Sequence, residues 1–212
     1  MQERLKQFEI TCPRCGHIFK KDLNTAIFSE TMERDKLLNR DFASLLCPSC
    51  GHDFRLNYRF IYTDDRLKFM VVNDPDFVGS SHRLALISSL SLLDKLRRDE
   101  LSKFRTIMTT NLDELREKIL ILEAGLDDRT VELMKYILLE SDELSLNHDD
   151  VASFVLEEVD KFIITSKTKE VMSLPFPKEV YDKIEETYGS SFDNKPALIN
   201  RAWAYDFLKK FK

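Results

Sequence analysis

The chain has 212 residues and a mass of 24.9 kDa, with 43% hydrophobic residues, 33% charged residues and a net charge of −5. This composition excludes collagen-like, disordered and membrane-embedded proteins, and the acidic charge argues against a protein that coats nucleic acid or anionic membrane. Only five glycines occur, and the absence of any glycine-rich phosphate-binding motif excludes dinucleotide and P-loop chemistry.

Two matched octapeptides organise the first part of the sequence. Residues 12–19 read CPRCGHIF and residues 47–54 read CPSCGHDF. Two thiolates separated by two residues can close on one metal ion, while the tight turn directs backbone N–H groups at the sulfur atoms. The glycine after the second cysteine permits the positive φ that ends such a turn. Each octapeptide therefore predicts one knuckle of a zinc ribbon.

Alternating and capped patterns surround the two knuckles. A nine-residue run from Phe54 to Tyr62 alternates in hydropathy and predicts one long strand. Four further strands and one helix are expected in this region: Phe8–Thr11, Ile18–Lys20, Met32–Leu38 as a helix capped by Ser29 or Thr31, Phe42–Leu46 and Leu67–Val72. Residues 73–76 read NDPD and break the pattern, so we predict a first domain over residues 1–75.

The remainder, residues 76–212, predicts a mixed α+β domain. Its clearest helix begins at Leu112, with Asn111 as N-cap, Glu114 at the capping-box position and Gly125 at its end. The other expected helices are 84–98, one capped by Asp127 and running to Leu139, one from Pro177 to Gly189, and 197–211. The expected strands are 104–108, 152–158, 162–165 and 171–174. The fold class is therefore α+β, with a four-cysteine zinc-ribbon-like β module followed by this mixed domain.

The two knuckles predict one metal site with four thiolate ligands, Cys12, Cys15, Cys47 and Cys50, which are the chain's only cysteines. The 31 residues between the pairs exceed the about 15–20 typical of such ribbons. Loop-closure entropy grows only logarithmically, so the longer interval costs about 0.5 kcal/mol against the ~10–16 kcal/mol of a structural zinc site. Four thiolates leave no open position for water, which predicts a structural zinc ion.

Three alternatives to zinc remain open from the sequence. A rubredoxin-type iron site uses the same four thiolates, so ligand identity alone does not separate the two metals. A dithiol redox motif of the CPxC type would open a helix after a strand, which fits two matched knuckles less well. Four unrelated core cysteines would leave the matched octapeptides unexplained. We favour zinc over iron, iron over redox chemistry, and all of these over core cysteines.

Other polar and aromatic residues have two interpretations each. His17 and His52 are either reserve ligands or, as we favour, polar groups beside the site. The acidic doublets 64–65, 127–128 and 149–150 fit turn and helix-cap duty better than acid–base chemistry, and His82 and His148 fit surface or capping positions. The alternating run from Phe54 to Tyr62, with Arg55 and Arg59, is either a base-stacking platform or, as we favour, a half-buried strand.

The doubled CPxCG motif and the strand that leads to Tyr62-Thr63-Asp64 resemble the CpXC family of bacterial and archaeal proteins. The stretch from Leu112 to Ile119, followed by Gly125-Leu126-Asp127-Asp128-Arg129 and Glu132-Leu133-Met134-Lys135, is similar to that family's helical segment. The resemblance covers residues ~8–140 and implies that the four cysteines are metal ligands. It implies nothing about an activity.

The expected function is that of a cytoplasmic, non-enzymatic protein-binding or scaffold module with a structural zinc site. The first residues are charged, and the longest uncharged apolar run, from Leu84 to Leu93, is about half of the ~20 residues that a membrane span needs. Paired cysteines in a reducing compartment favour metal binding over disulfides. Two alternatives stay open: a nucleic-acid-associated accessory factor that uses the ribbon's arginines and aromatics, and an enzyme with its site in the C-terminal domain.

Overall fold

A computed structural model describes residues 4–77, 103–141, 148–193 and 197–211. Internal contacts divide the chain into two compact units, Met1–Arg116 and Glu117–Lys212. The predicted helix 84–98 and His82 lie outside the described residues. The predicted domain boundary after residue 75 stays a prediction, because residues 78–102, which follow it closely, also lie outside the described residues.

The first unit is rich in strands. Its elements are β1 (Leu5–Thr11), β2 (Ile18–Asn24), β3 (Ala26–Phe28), α1 (Met32–Leu38), β4 (Ser44–Leu46), β5 (Asp53–Arg55), β6 (Phe60–Asp64), β7 (Phe69–Asn73), β8 (Arg105–Thr109) and the start of α2 (Leu112–Glu123). β1 pairs with β2 and β4 with β5, each antiparallel, and these two hairpins carry the knuckles. The predicted strand pair around the first knuckle and the predicted strands near 67–72 and 104–108 are thus confirmed within a few residues.

A mixed sheet forms the body of the first unit. Four neighbouring strands of this unit lie in the order β8-β7-β6-β3, with β7 antiparallel to β6 and parallel to β8, and β3 parallel to β6. All five residues of β7 are buried, as expected for a central strand that is covered on both faces. Tyr62 and Val71 in the middle of β6 and β7 have no exposed surface.

The predicted single strand from Phe54 to Tyr62 is wrong. The run is divided between β5, which pairs with β4, and β6, which pairs with β7 and β3. Residues 56–59 cross from one sheet to the other, and buried Asn73 holds the crossing: its amide donates to Asn57 Oδ1 and to the Tyr58 carbonyl, both at 2.8 Å. The alternating pattern correctly indicates strand at both ends of the run, but it does not reveal that the chain changes partners between them.

The second unit contains most of α2, α3 (Asp128–Glu140), β9 (Val151–Glu158), β10 (Lys161–Ser166), β11 (Val171–Pro175), α4 (Lys178–Tyr188), β12 (Ala197–Leu198) and α5 (Arg201–Leu208). The strands β9, β10 and β11 form an antiparallel meander. Its buried aromatic residues Phe154 and Phe162 belong to one core with Leu133 of α3, Tyr181 of α4 and Phe207 of α5. The predicted helix 197–211 is shorter than expected, since Ala197–Leu198 is a strand and α5 begins after its N-cap, Asn200.

Local capping fixes the ends of several helices as expected. Thr31 accepts a hydrogen bond from Arg34 N and begins α1. Asn111 Oδ1 accepts from Glu114 N at 2.9 Å, and the Glu114 carboxylate reaches back to Thr110 N at 3.1 Å, one residue before the usual capping-box position. Asp127 Oδ1 accepts from Arg129 N at 2.8 Å and begins α3. None of the helices among the described residues is both long enough and apolar enough to cross a membrane.

The fold-class prediction is confirmed. The protein is a mixed α+β chain whose N-terminal strands carry a cluster of four cysteines.

Candidate metal centre

The two knuckles have the same backbone hydrogen bonds. In the first, Cys12 N donates to the His17 carbonyl at 2.9 Å and Gly16 N donates to the Cys12 carbonyl at 3.0 Å. In the second, Cys47 N donates to the His52 carbonyl at 2.9 Å and Gly51 N to the Cys47 carbonyl at 3.0 Å. The repeated sequence therefore folds into a repeated structure, with each turn inserted at the end of a hairpin.

A glycine closes each turn because the backbone there is left-handed. Gly16 has a φ of +72° and Gly51 a φ of +66°. A Cβ atom at either position would meet nothing within 4 Å, so the requirement for glycine comes from the backbone and not from space.

Replacing Gly51 by alanine should therefore strain the knuckle without a clash. We expect a cost of about 1–2 kcal/mol, the usual penalty for a side chain in the left-handed region, seen as a roughly 5- to 30-fold weaker apparent metal affinity in a competition titration. Ala43 has a φ of +59° ahead of β4, so the matched variant Ala43→Gly should leave that affinity unchanged or raise it. Equal affinities for Gly51→Ala and the wild-type chain would contradict this account of the turn.

The four cysteine sulfurs converge at the ends of the two hairpins. Every Sγ atom lies within 4.8 Å of every other, with 3.8 Å between Cys12 and Cys50 and 3.7 Å between Cys15 and Cys47. Both of these contacts join one knuckle to the other. Four ligands about 2.3 Å from a central ion, the zinc–sulfur distance, would form a tetrahedron with edges of about 3.8 Å. The structure thus brings all four predicted ligands together in an arrangement that suits one metal ion.

The sulfurs differ in their accessibility and in their electrostatic surroundings. Cys12 and Cys47 are 1% exposed, whereas Cys15 and Cys50 are exposed. Burial opposes ionisation of Cys12, but hydrogen bonds from the backbone of Cys15 and Arg14 outweigh it and lower the pKa of Cys12 to about 7. The backbone at His52 favours the Cys50 thiolate, yet desolvation and the three neighbouring sulfurs prevail and raise the pKa of Cys50 to about 12. Four thiolates at this spacing repel one another unless a cation lies among them.

The two knuckle histidines stack on phenylalanines. The His17 ring lies 6.3 Å from the Phe19 ring at an interplanar angle of 12°, and the His52 ring lies 5.9 Å from the Phe54 ring at 18°. Among the described residues, the cluster suited to a metal ion contains the four cysteines and no histidine. These contacts favour the interpretation of His17 and His52 as groups beside the site.

The variant His52→Gln should keep its full metal content, because the substitution removes the imidazole nitrogens but leaves the four sulfurs in place. We expect elemental analysis to give the same metal content per chain for this variant as for the unmodified protein. A loss of metal in this variant alone would make His52 a ligand.

The aromatic and arginine residues between the knuckle and the sheet are engaged within the first unit. Tyr58, Phe60 and Tyr62 are at most 6% exposed, so their ring faces are not open for stacking on bases. Arg59 pairs with Asp74 at 2.8 Å, and Arg55 lies 3.4 Å from Asp113. The half-buried interpretation of this segment fits these contacts better than a base-stacking platform does.

A group of buried charges lies in the second unit and was not predicted from the sequence. We call it the buried charge chain and define it as Glu117 and Lys118 of α2 with Asp128, Glu132 and Lys135 of α3. Each residue is at most 7% exposed. Asp128 was expected to serve a turn or cap, yet it is fully buried and lies 3.5 Å from Lys118 Nζ.

Acidic and basic groups alternate along the buried charge chain. Lys118 is followed by Glu132 at 3.8 Å, Lys135 lies 2.9 Å from Glu132 and 3.0 Å from Glu117, and Glu117 Oε1 accepts from the backbone of Leu156 in β9 at 2.7 Å. The chain of charges thus joins α2, α3 and β9. A signal was present in the sequence, because Asp128, Glu132 and Lys135 are spaced at 4 and 3 residues and so share one face of a helix.

Comparisons with known proteins complete the description of the site. No curated protein matches the chain, and no solved structure matches it. The protein family described as CpXC protein matches residues 10–135, which is more than half of the chain. The matched region contains all four cysteines and ends at Lys135, so it also contains every member of the buried charge chain. The chain belongs to the CpXC protein family.

Proposed function

We propose that Cys12, Cys15, Cys47 and Cys50 hold one structural zinc ion that joins the β1–β2 hairpin to the β4–β5 hairpin. The convergence of four sulfurs from two matched turns carries this proposal. The cross-knuckle distances of 3.7 and 3.8 Å match the edge of a zinc–thiolate tetrahedron, and the thiolate cluster needs a cation to offset its own repulsion. Four protein ligands leave no position for water, so the ion's contribution is stability and not catalysis.

The decisive experiment is elemental analysis of the full chain purified without added metal. One zinc per chain supports the proposal, and one iron per chain would replace zinc by the rubredoxin-type alternative. A chain with neither metal would refute the site. Because the same sample can be measured for free thiols, oxidation of the cysteines during purification is recognised directly and does not mimic an absent site.

We further propose that the protein is a non-enzymatic module of the reducing cytoplasm that binds a protein partner through the zinc-bearing end. Ile18 and Leu46 flank the cysteine turns and are 57% and 67% exposed, so each knuckle presents an aliphatic side chain next to the centre. The net charge of −5 and the engagement of Arg55 and Arg59 by carboxylates disfavour a phosphate backbone as the partner.

Two measurements separate a protein partner from nucleic acid. The first is fluorescence anisotropy with single- and double-stranded oligonucleotides at ~50 mM salt, where phosphate contacts are strongest. Binding that weakens steeply as salt is added would favour the nucleic-acid alternative. The second is a cross-linking pull-down from the native organism with the wild-type chain and with Ile18→Ser/Leu46→Ser. A partner retained equally by both chains would contradict a role for the zinc-bearing end.

The enzyme alternative depends on whether charged groups of the second unit could form a catalytic site. Several titratable groups of this unit converge in the buried charge chain. They form ion pairs with one another at 2.9–3.8 Å, and Glu117 also accepts a hydrogen bond from the Leu156 backbone. We interpret this cluster as structural, because its ammonium and carboxylate groups face each other and are at most 7% exposed.

A further inference from the structure

The four sulfurs form two unequal pairs across the knuckles. Each pair contains one buried and one exposed sulfur: buried Cys12 lies 3.8 Å from exposed Cys50, and buried Cys47 lies 3.7 Å from exposed Cys15. An oxidant dissolved in water therefore reaches the exposed sulfur of each pair first. The buried sulfur of the same pair is already in contact with that exposed sulfur.

We propose that the centre is oxidation-sensitive and that a peroxide converts it into two disulfides between the knuckles, Cys15–Cys47 and Cys12–Cys50, with release of the metal. The inference rests on the zinc site proposed above for the starting state. It assigns Cys15 and Cys50 as the sulfurs that peroxide attacks, and Cys47 and Cys12 as the sulfurs that resolve the products.

The reaction balances in two steps at each pair. The exposed thiolate attacks one peroxide oxygen, so that an S–O bond forms, the O–O bond breaks, and the products are a sulfenic acid and one hydroxide ion. The buried thiolate then attacks the sulfenic sulfur, so that the S–S bond forms and a second hydroxide leaves. Each pair loses two electrons to one hydrogen peroxide. The whole centre consumes two peroxides, and the metal ion loses all four of its ligands.

The topology of the first unit favours pairing between knuckles over pairing within them. Cys12 and Cys50 are 38 positions apart and Cys15 and Cys47 are 32 apart, so these disulfides close long loops and restrict the unfolded chain strongly. They also keep the two hairpins joined once the metal has left. A disulfide between Cys12 and Cys15 would close only one turn and leave the hairpins unconnected.

The test uses the full-length metal-loaded chain, with metal content measured before any oxidant is added. Hydrogen peroxide is added at two equivalents, released zinc is followed with a chromogenic chelator, and disulfides are mapped by mass spectrometry after rapid acid quenching. We expect one zinc released per chain, the pairs 12–50 and 15–47, and recovery of metal binding after reduction with dithiothreitol. Pulse alkylation of the metal-loaded chain, before any oxidant is added, should label the exposed Cys15 and Cys50 before the buried Cys12 and Cys47.

The variant Cys15→Ser discriminates between the two pairings even if its metal affinity is reduced. Pairing between knuckles predicts one disulfide, Cys12–Cys50, with a free thiol at Cys47, whereas pairing within a knuckle predicts Cys47–Cys50. The latter pattern, or zinc retention in the wild-type chain at two equivalents, would overturn the inference while the zinc site stands. A chain without zinc before oxidation would refute the proposed function instead, and the same disulfide map of that chain would still decide the pairing.

Discussion

A chain in which Cys47 is replaced by serine will bind no zinc and will lose the ordered structure of both hairpins. The serine hydroxyl is a far weaker ligand than a thiolate, and Cys47 is buried at the turn that connects β4 to β5. Structural zinc contributes about 10–16 kcal/mol to folding in small zinc domains, at least comparable with the about 5–15 kcal/mol by which a whole domain is typically stable. Hairpins of three to seven residues per strand have too little core to fold without it.

Hydrogen exchange and elemental analysis together check this expectation. The backbone amides of β1, β2, β4 and β5 should exchange rapidly in Cys47→Ser, whereas those in the middle of β10, in the second unit, should keep their protection. Ser49→Ala is the matched control, because Ser49 lies in the same turn, is exposed, and is not one of the four clustered cysteines. Full protection of the hairpins in a metal-free Cys47→Ser chain would show that no ion holds them.

Replacement of Lys135 by methionine will destabilise the second unit by about 3–5 kcal/mol, the usual cost of leaving buried charges without their partner. Methionine preserves the volume of the lysine stem but removes the ammonium that lies 3.0 Å from Glu117 and 2.9 Å from Glu132. Glu117 would also lose the cation that balances it while it still accepts the hydrogen bond from Leu156 N. The largest part of the loss should come from these two stranded carboxylates.

Denaturant unfolding followed by tryptophan fluorescence measures this loss, since the single tryptophan, Trp203, lies in α5 of the second unit. Lys178→Met is the matched control. Its ion pair with Asp182 also joins a lysine to an acid, but the two side chains are 63% and 58% exposed, and such pairs contribute at most about 1 kcal/mol. If the free energy of unfolding fell by similar amounts in the two variants, burial would add nothing to the contribution of the buried charge chain.

The pH dependence of the same measurement has a defined sign. Burial alone would raise the pKa of Glu132, but Lys135 and Lys118 outweigh it and hold that pKa below its ordinary value of 4.5. Burial would likewise lower the pKa of Lys135, but Glu117 and Glu132 outweigh it and raise that pKa above 10.5. The stability that Glu132 contributes is therefore present above pH 4.5 and is lost as the pH falls through its folded-state pKa. The stability that Lys135 contributes is present below pH 10.5 and is lost as the pH rises through its folded-state pKa. The penalty of Lys135→Met should be constant near neutral pH and should shrink in acid.

Local signals were sufficient to predict much of the first unit and the ends of several helices. The knuckles, the β1–β2 hairpin and the caps at Thr31, Asn111 and Asp127 each depend on residues close together in sequence, so their patterns are complete within a short window. The four cysteines also gathered as their repeated motif predicted. Metal ligands of this kind are recognisable because the chemistry demands a fixed residue type at a fixed spacing.

The features that were not predicted from the sequence depend on contacts between segments that are distant in sequence. The alternating pattern runs without a break from Phe54 to Tyr62, but the change of partners between β5 and β6 involves residues outside the run: the Ala43 carbonyl accepts from Leu56 N, and Asn73 holds the crossing. The buried charge chain escaped prediction because charged residues on a helix face usually lie in water. Only the tertiary contact of α2 with α3 converts the charges on these helices into a buried series of ion pairs.

The parallel pairing of β3 with β6 changes how the interval between the knuckles should be understood. Ala26 pairs with Ile61 and Phe28 with Thr63, so the chain that leaves the first knuckle and the chain that leaves the second are held side by side in the sheet. The sheet therefore acts as an intramolecular tether that raises the effective concentration of one thiolate pair for the other. The β3–β6 pairing therefore lowers the entropy that metal binding itself must overcome to assemble four distant ligands. Metal affinity in this protein should accordingly respond to substitutions in β3 and β6, at positions that never touch the ion.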